Sequence, residues 1–268
     1  MKKSVLIFST VLITFSLTAF TYMNWNTPVR AYEQPSCNSM VTFEPDIINS
    51  INNKADPNLV YNVQSRFNHT ITKDHLKKAI SVREIFPKHA SESIGNFHSV
   101  KVSVLRDKKG ETSEFGTSEL LNEAQIKLLH SINYSNNIYI TAYYKKQNIV
   151  TGASEEDHIV YYMTITPETE AEFTSGHDAL ISYLRENSKE ETAFIEQDQL
   201  EPGMVNFTIT KKGTIAHVNL TSTCGYKTVD EALVELITNM PEKWNPAKNS
   251  KGENVDQELV FFFGKEGC

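Results

Sequence analysis

The alternation of apolar and polar residues near the end of the chain restricts the fold more than any other feature of the sequence. Apolar side chains occupy every second position over 205–209, and the alternation returns over 216–220 after Lys211, Lys212 and Gly213. Two such runs around a short Gly-containing turn predict an antiparallel β-hairpin with one buried face. That face needs a second layer, because an apolar sheet surface must pack against another element.

The residues that supply this second layer follow directly. The apolar spacing changes to i, i+3, i+4, i+7, which predicts a helix with one apolar stripe, formed by Leu233, Leu236, Ile237 and Met240. Asp230 suits the dipole of the first turn, and Pro241 ends the helix. A final apolar run at 255–263 predicts a third strand, and we expect Trp244 to pack beneath the sheet. The order predicts a two-layer α+β unit, ββαβ.

The middle of the chain is predicted to be rich in strands. Four runs show strand patterns, at 98–106, 111–116, 137–144 and 157–166. Between the second and third, Asn122 with Gln125 resembles the capping box of a short helix. The last two runs carry tyrosines that either pack in the sheet or line a carbohydrate or ligand face, namely Tyr139, Tyr143, Tyr161 and Tyr162. The sequence leaves both interpretations open.

The beginning of the chain predicts export. Lys2 and Lys3 precede an uncharged, apolar run at 4–22. A positive start before such a run is typical of a secretion signal or an uncleaved membrane anchor, here assigned to 1–31. Residues 32–67 are rich in Asn, Ser and Pro, which predicts a poorly structured tether. We therefore expect the protein in the periplasm or cell envelope, anchored in the inner membrane if the run is not cleaved.

Charge and motifs exclude several classes of function. A net charge of -7 argues against a nucleic-acid partner, because such partners need a dense Lys and Arg surface. The eight histidines never occur at i, i+4, and the three cysteines lie far apart, so the sequence predicts no metal site and no cofactor. Nucleophile elbows, phosphate-binding loops and dinucleotide motifs are missing, so we expect a protein that is not an enzyme.

The C-terminal pattern resembles the TonB C-terminal domain in the form common in Bacteroidetes. The resemblance covers about residues 168–268. The positions that match the family's strand, turn and helix-start pattern are Gly203, Val205, Gly213, Gly225, Asp230, Met240-Pro241, Trp244, Pro246-Ala247, Gly252 and Val255. In that family the domain binds outer-membrane receptors. The resemblance therefore implies a protein or peptide partner, such as an outer-membrane receptor or another envelope protein, and a link to outer-membrane transport.

The resemblance also implies where a peptide would bind. In TonB-like domains the third strand is a sheet edge, to which a short receptor segment adds as a further strand. The corresponding residues here are Val255, Asp256, Gln257, Glu258, Leu259, Val260 and Phe261. The same topology brings the ends of the second and third strands together and predicts a disulfide between Cys224 and Cys268, with Cys37 left over. Three free thiols are the alternative.

The middle block, 98–166, shows a weaker resemblance to a periplasmic domain of the gliding-motility protein GldM. The shared feature is a Gly-x-x-x-Leu-Leu segment that leads into a helix and a strand pair, at 116–129.

The predicted organisation of the chain is a β-rich domain at 68–167 followed by a TonB-like domain at 168–268. The function of the protein is predicted to be peptide or protein binding. The alternatives are a structural or assembly component of the envelope without an energy-transducing role, and an enzyme accessory or inhibitor that works through the β-rich block. An open edge on the final strand favours binding, and a covered edge favours assembly.

Overall fold

The computed structural model describes residues 59–88, 94–106, 110–196, 199–241 and 244–265. Up to residue 166 the elements are β1 (Leu59–Gln64), β2 (Thr70–Thr72), α1 (Lys73–Lys78), α2 (Val82–Ile85), β3 (Phe97–Arg106), β4 (Gly110–Gly116), α3 (Glu123–His130), β5 (Asn137–Gln147) and β6 (Ser154–Thr166). The later elements are β7 (Glu172–Phe173), α4 (His177–Asn187), α5 (Lys189–Thr192), β8 (Gly203–Ile209), β9 (Ile215–Ser222), α6 (Lys227–Thr238), β10 (Trp244–Asn245), β11 (Ala247–Lys248), β12 (Asn254–Val255) and β13 (Gln257–Lys265). The predicted α+β class is confirmed.

A five-stranded sheet with the order β2-β6-β5-β3-β4 forms what we call the middle lobe. Its neighbouring strands pair antiparallel, except β2 and β6, which run parallel. Val100, Val102 and Val104 of β3 are at most 2% exposed and pack in one hydrophobic cluster with residues of α1, α2 and α3. The alternation in the sequence therefore identified the buried face of this strand correctly.

The helix of the middle lobe begins as the sequence predicts. The side-chain oxygen of Asn122 accepts a hydrogen bond from the Gln125 N–H at 2.9 Å, and the Gln125 side chain accepts one from the Asn122 N–H at 3.0 Å. This reciprocal pair is a capping box. Gln125 is also fully buried and donates to the Val100 carbonyl, so the cap fastens α3 to the sheet.

A second, four-stranded sheet with the order β1-β13-β8-β9 forms the C-terminal lobe, together with α4 and α6. Both lobes belong to the same unit of the chain. The hairpin β8–β9 turns at Gly213, which has φ +75°. A β-carbon there would lie 2.2 Å from the Trp244 carbonyl oxygen, so no larger residue fits. In turn the Trp244 N–H donates to the Gly213 carbonyl at 3.1 Å, which ties the turn to β10.

Helix α6 packs by the predicted stripe. Leu233 and Ile237 are at most 2% exposed and belong to the same hydrophobic cluster as the inner residues of β8 and β13. Trp244 is buried in that cluster, as predicted, where its ring meets Phe173 and Phe207 edge-on at centroid distances of 5.5 and 5.9 Å. Its indole N–H has no hydrogen-bond partner. The Trp is thus a core residue whose polar group is left unmatched.

The predicted tether is wrong at its end. Leu59–Gln64 forms β1, which pairs antiparallel with β13 along Val260 to Lys265. Leu59, Tyr61 and Val63 are buried in the C-terminal lobe, an alternation that the sequence shows and that the composition of the segment obscured. The C-terminal lobe therefore includes residues that precede the middle lobe in the chain as well as residues that follow it.

The predicted export segment 1–31 lies outside the described residues, as does Cys37. In the ranges that the structure does describe, no helix is both long and apolar enough to cross a membrane.

Candidate functional site

The predicted peptide-binding strand is not an open edge. Gln257–Phe261 belong to β13, which lies inside the sheet with β8 on one side and β1 on the other. Val255 belongs to the separate short strand β12, and the Asp256 carboxylate accepts a hydrogen bond from the Lys211 N–H at 2.6 Å. The prediction of a free third-strand edge is wrong at Val260 and Phe261, because β1 already occupies the place there that an added peptide would take.

The part of this edge beyond the end of β1 is also engaged. The backbone N–H of Glu258 donates to the Ser135 hydroxyl of the middle lobe at 2.8 Å. Gln257 is 1% exposed, and its side-chain amide accepts from the Ala171 N–H and donates to Glu170, both at 2.7 Å. Strand addition at residues 257–261 would have to displace bonds that the chain makes to itself.

A cleft of about 340 Å³ opens beside this strand. Its apolar residues include Phe67, Phe173 and Leu259, and Trp244 lines it as well. The Glu170 carboxylate at the cleft accepts hydrogen bonds from the side chains of Ser65 and Gln257, so it already has partners within the protein. The cleft is at the small end of the range for ligand pockets.

Of the two cysteines in the predicted disulfide, the structure describes one. Cys224 is fully buried and is the one cysteine among the described residues, and Cys268 lies outside them. Burial, with the Asp230 carboxylate as a second cause, raises the pKa of Cys224 to about 12. Gly203 approaches Cys224 so closely that a β-carbon would come within 2.9 Å of the Cys224 β-carbon, and Gly203 pairs with Phe263 near the chain end. The Cys224–Cys268 disulfide stays a prediction.

Asp230 does more than face a helix dipole. It is 5% exposed, and its carboxylate accepts hydrogen bonds from the Cys224 N–H at 2.9 Å and from the Thr223 hydroxyl at 2.5 Å. These bonds hold the loop that leads from β9 into α6. A structural role explains this acid fully.

The tyrosines of the middle lobe divide between the two faces of its sheet. Tyr161 lies on the helix side, with its ring 5.0 Å from that of Phe86. Tyr139 and Tyr162 are directly paired across β5 and β6 on the opposite face, which the helices leave uncovered, and their rings are 5.4 Å apart. Tyr161 therefore packs in the core, as one interpretation predicts, whereas a ligand face that includes Tyr139 and Tyr162 stays a prediction.

A row of side chains crosses the uncovered face from β4 to the residues before β2. We call it the aromatic row, and it consists of Phe115, Lys101, Tyr139, Tyr162 and Phe67. The Lys101 ammonium lies 5.8 Å from the Phe115 ring centroid and 5.3 Å from that of Tyr139, and the Tyr162 ring lies 5.4 Å from Phe67. Phe115 is 63% exposed. Successive contacts hold these flat rings in place on a rigid sheet.

The charges within the aromatic row are already paired. Glu111 receives the Lys101 ammonium at 2.6 Å, and the hydroxyls of Tyr139, Ser103 and Ser113 donate to the same carboxylate. Burial opposes ionisation of Glu111, but these hydrogen bonds outweigh it and lower the pKa of Glu111 to about 2. The ion pair compensates the charge of Lys101, and the exposed part of the row, of which Phe115 is the most exposed ring, is mainly aromatic, whereas Phe67 is buried. Sequence analysis found the tyrosines but missed Lys101 and Glu111, because only the strand register brings them together.

Within the described ranges no group of three or more His, Cys, Asp or Glu side chains could hold a metal ion. No protein-family model matches the chain, and no curated protein and no solved structure matches it significantly either.

Proposed function

We propose that the protein is an extracytoplasmic protein-binding module of the cell envelope, and that it binds its partner with the aromatic row of the middle lobe. The observation that supports this proposal is the arrangement of the row. Its aromatic rings contact one another or Lys101 on the sheet face that the helices leave uncovered, and its one ammonium group, that of Lys101, is paired with Glu111. Aromatic residues are enriched and unpaired charges depleted at the centres of protein interfaces. Rings that are already fixed lose little side-chain entropy on binding.

The wider setting of this proposal comes from the sequence. The apolar run at 4–22 supports export, and the TonB resemblance of 168–268 supports a link with outer-membrane transport systems. In this proposal the C-terminal lobe does not take up a peptide on its third strand, because β1 and Ser135 occupy that edge.

Photo-cross-linking at the row tests the proposal. A photoreactive phenylalanine analogue is placed at Phe115 or at Tyr143, a neighbouring tyrosine of β5, in the full chain expressed in cells that export it. The control position is Phe194, which is 86% exposed and lies in the C-terminal lobe. We expect a discrete adduct with another envelope protein from Phe115 in the row and from Tyr143 beside it, and none from Phe194. Equal labelling at all three positions, or none at Phe115 and Tyr143, would contradict the proposal.

A structural or assembly role is the second candidate. The observation that favours it is the covered edge of β13, since a sheet closed by its own chain is not available to an outside strand. The same cross-linking separates the two candidates. Adducts with another copy of this chain would support assembly, whereas adducts of other mass would support binding to a different protein.

A further inference from the structure

The turn between β5 and β6 carries the most exposed apolar side chains of the described residues. Ile149 is 101% and Val150 93% exposed, and they are adjacent. In the described ranges, the other large apolar residues that are exposed stand singly. β5 and β6 have 11 and 13 residues and pair along their length, so the turn ends a long hairpin. Two neighbouring aliphatic side chains at a projecting tip face water without any protein contact to explain them.

Several backbone N–H groups of this tip are paired within the turn. The Asn148 side-chain oxygen accepts from the N–H groups of Val150 and Thr151, at 2.9 and 3.1 Å. The Asn148 N–H donates to the Ala153 carbonyl, and the Gly152 N–H donates to the Asn148 carbonyl, both at 2.8 Å. Unpaired backbone groups are what normally keeps a turn out of an apolar medium. This turn can enter one without leaving those N–H groups unmatched.

Charged residues surround the tip at a fixed height. Residues 147–154 carry no charge, and on both sides charged residues follow at once. Lys145 lies 3.7 Å from Glu156 across the two strands, and Lys146 lies 2.5 Å from Asp157. From Lys146 to the turn the strand rises roughly 10 Å, close to the depth of about 5–10 Å at which interfacial segments sit in a bilayer. The ion pairs would therefore stop insertion at the headgroups.

The net charge of the residues around the tip indicates which kind of surface the tip can bind. Two positive residues, Lys145 and Lys146, stand against three negative ones, which are Glu155, Glu156 and Asp157. Their sum is one negative charge, so anionic lipids offer no attraction. A convex pair of aliphatic side chains also needs no pocket of matching shape when it enters lipid, whereas a protein partner would have to supply one.

We propose that the β5–β6 tip, residues 147–154, inserts Ile149 and Val150 into the headgroup region of an electrically neutral lipid bilayer. The tip lies at one end of the hairpin that also carries Tyr139 and Tyr162, so contact with lipid would orient the aromatic row relative to the membrane. This inference is independent of the identity of the row's partner.

A tryptophan placed at the tip tests the insertion. Val150→Trp is made in a full chain that carries Trp25→Phe, which leaves the buried Trp244 as a constant background. The protein is mixed with phosphatidylcholine vesicles with or without brominated acyl chains. We expect emission from the tip to shift to the blue and to be quenched by the brominated lipid, equally at low and high salt. Phe194→Trp in the same background serves as the control and should show neither change.

A second variant removes the apolar contact but keeps the reporter. Adding Ile149→Ser to the Val150→Trp protein should weaken the insertion equilibrium roughly tenfold, because one large aliphatic side chain no longer leaves water. Tip emission that vesicles do not alter would overturn the proposal, as would equal quenching of the Phe194→Trp control. Quenching that occurs only in vesicles that also contain anionic lipid would overturn the proposal of a neutral bilayer. A blue shift that grows with protein concentration without vesicles would show contact between copies instead.

Discussion

The hydroxyl of Ser135 in the middle lobe accepts a 2.8 Å hydrogen bond from the backbone N–H of Glu258 in the C-terminal lobe. Ser135 holds a left-handed conformation, φ +62°, and its own N–H donates to the Ile165 carbonyl at 2.7 Å. The contact continues the cover that β1 provides along β13, and it comes from a loop of the other lobe. One serine thus ties the two lobes together and closes the strand predicted to bind a peptide.

Substitution of this serine should separate the hydrogen bond from the backbone strain. Ser135→Ala leaves the Glu258 N–H without its acceptor, and we expect a loss of about 1 kcal/mol in the free energy of unfolding. Ser135→Gly loses the same bond but relieves the left-handed strain, so it should be about 1 kcal/mol more stable than the alanine variant. Urea unfolding of both variants measures this. Equal stability of the two would show that the conformation of residue 135 is not strained.

Two glycines with the same backbone conformation should respond differently to alanine. Gly213 and Gly252 have φ +75° and +77°, but only at Gly213 would a β-carbon collide, 2.2 Å from the Trp244 carbonyl, whereas nothing lies within 4 Å of Gly252. Gly252→Ala should cost about 1 kcal/mol from backbone strain alone. Gly213→Ala should cost clearly more, because the turn must part from β10. Thermal unfolding compares them, and similar melting temperatures would refute the collision.

Trp244 should be sensitive to loss of volume and tolerant of loss of its N–H. Trp244→Ala is expected to lower the free energy of unfolding by about 3–5 kcal/mol, because it empties a core site between Phe173 and Phe207. Trp244→Phe keeps a ring and removes a buried donor that has no acceptor, so its effect should be much smaller. Chemical denaturation checks both. An equally large loss for the phenylalanine variant would mean that the indole N–H has a partner after all.

Cys224 should be inert in the folded protein. Burial raises the pKa of its thiol to about 12, so thiolate is scarce at pH 8 and iodoacetamide should not modify it until the chain unfolds. Peptide mapping after unfolding without reductant then tests the predicted bridge to Cys268. We expect Cys224 to stay unmodified there and to react only once reductant is added. Alkylation without reductant would establish the free thiol as its state and remove the disulfide.

Glu111 should make stability depend on pH in acid. Its pKa is lowered from 4.5 to about 2 by hydrogen bonds that overcome its partial burial, so the folded state binds fewer protons than the unfolded state. The stabilisation is complete above about pH 4.5 and is lost as the pH falls through 2. Glu111→Gln should reduce the change of the urea midpoint with pH over that range, relative to the control Glu190→Gln in α5. An unchanged slope in the Glu111 variant would show that the network does not favour the carboxylate.

The sequence predicted the parts of the fold that depend on neighbours along the chain. The capping box of Asn122 and Gln125, the buried face of Val100 to Val104 and the stripe of α6 all follow from spacing within one element. The burial of Trp244 followed from its place between two prolines after a helix. The sequence predicts that the tyrosines of β5 and β6 either pack or line a ligand face, and the strand register shows which of them lie on the uncovered face.

The sequence by itself determined the strands β3 to β6, the hairpin β8–β9 and helix α6, because side-chain periodicity reports the nearest layer. Only the tertiary structure decided that Leu59–Gln64 pairs with β13, that Ser135 reaches Glu258, and that Lys101 meets Glu111 beside Tyr139. These contacts join residues far apart in the chain. The pairing of β1 with β13 uses N–H and C=O groups that every residue carries, so side-chain periodicity does not specify its partner. The two side-chain contacts depend on how strands and loops are placed in the fold.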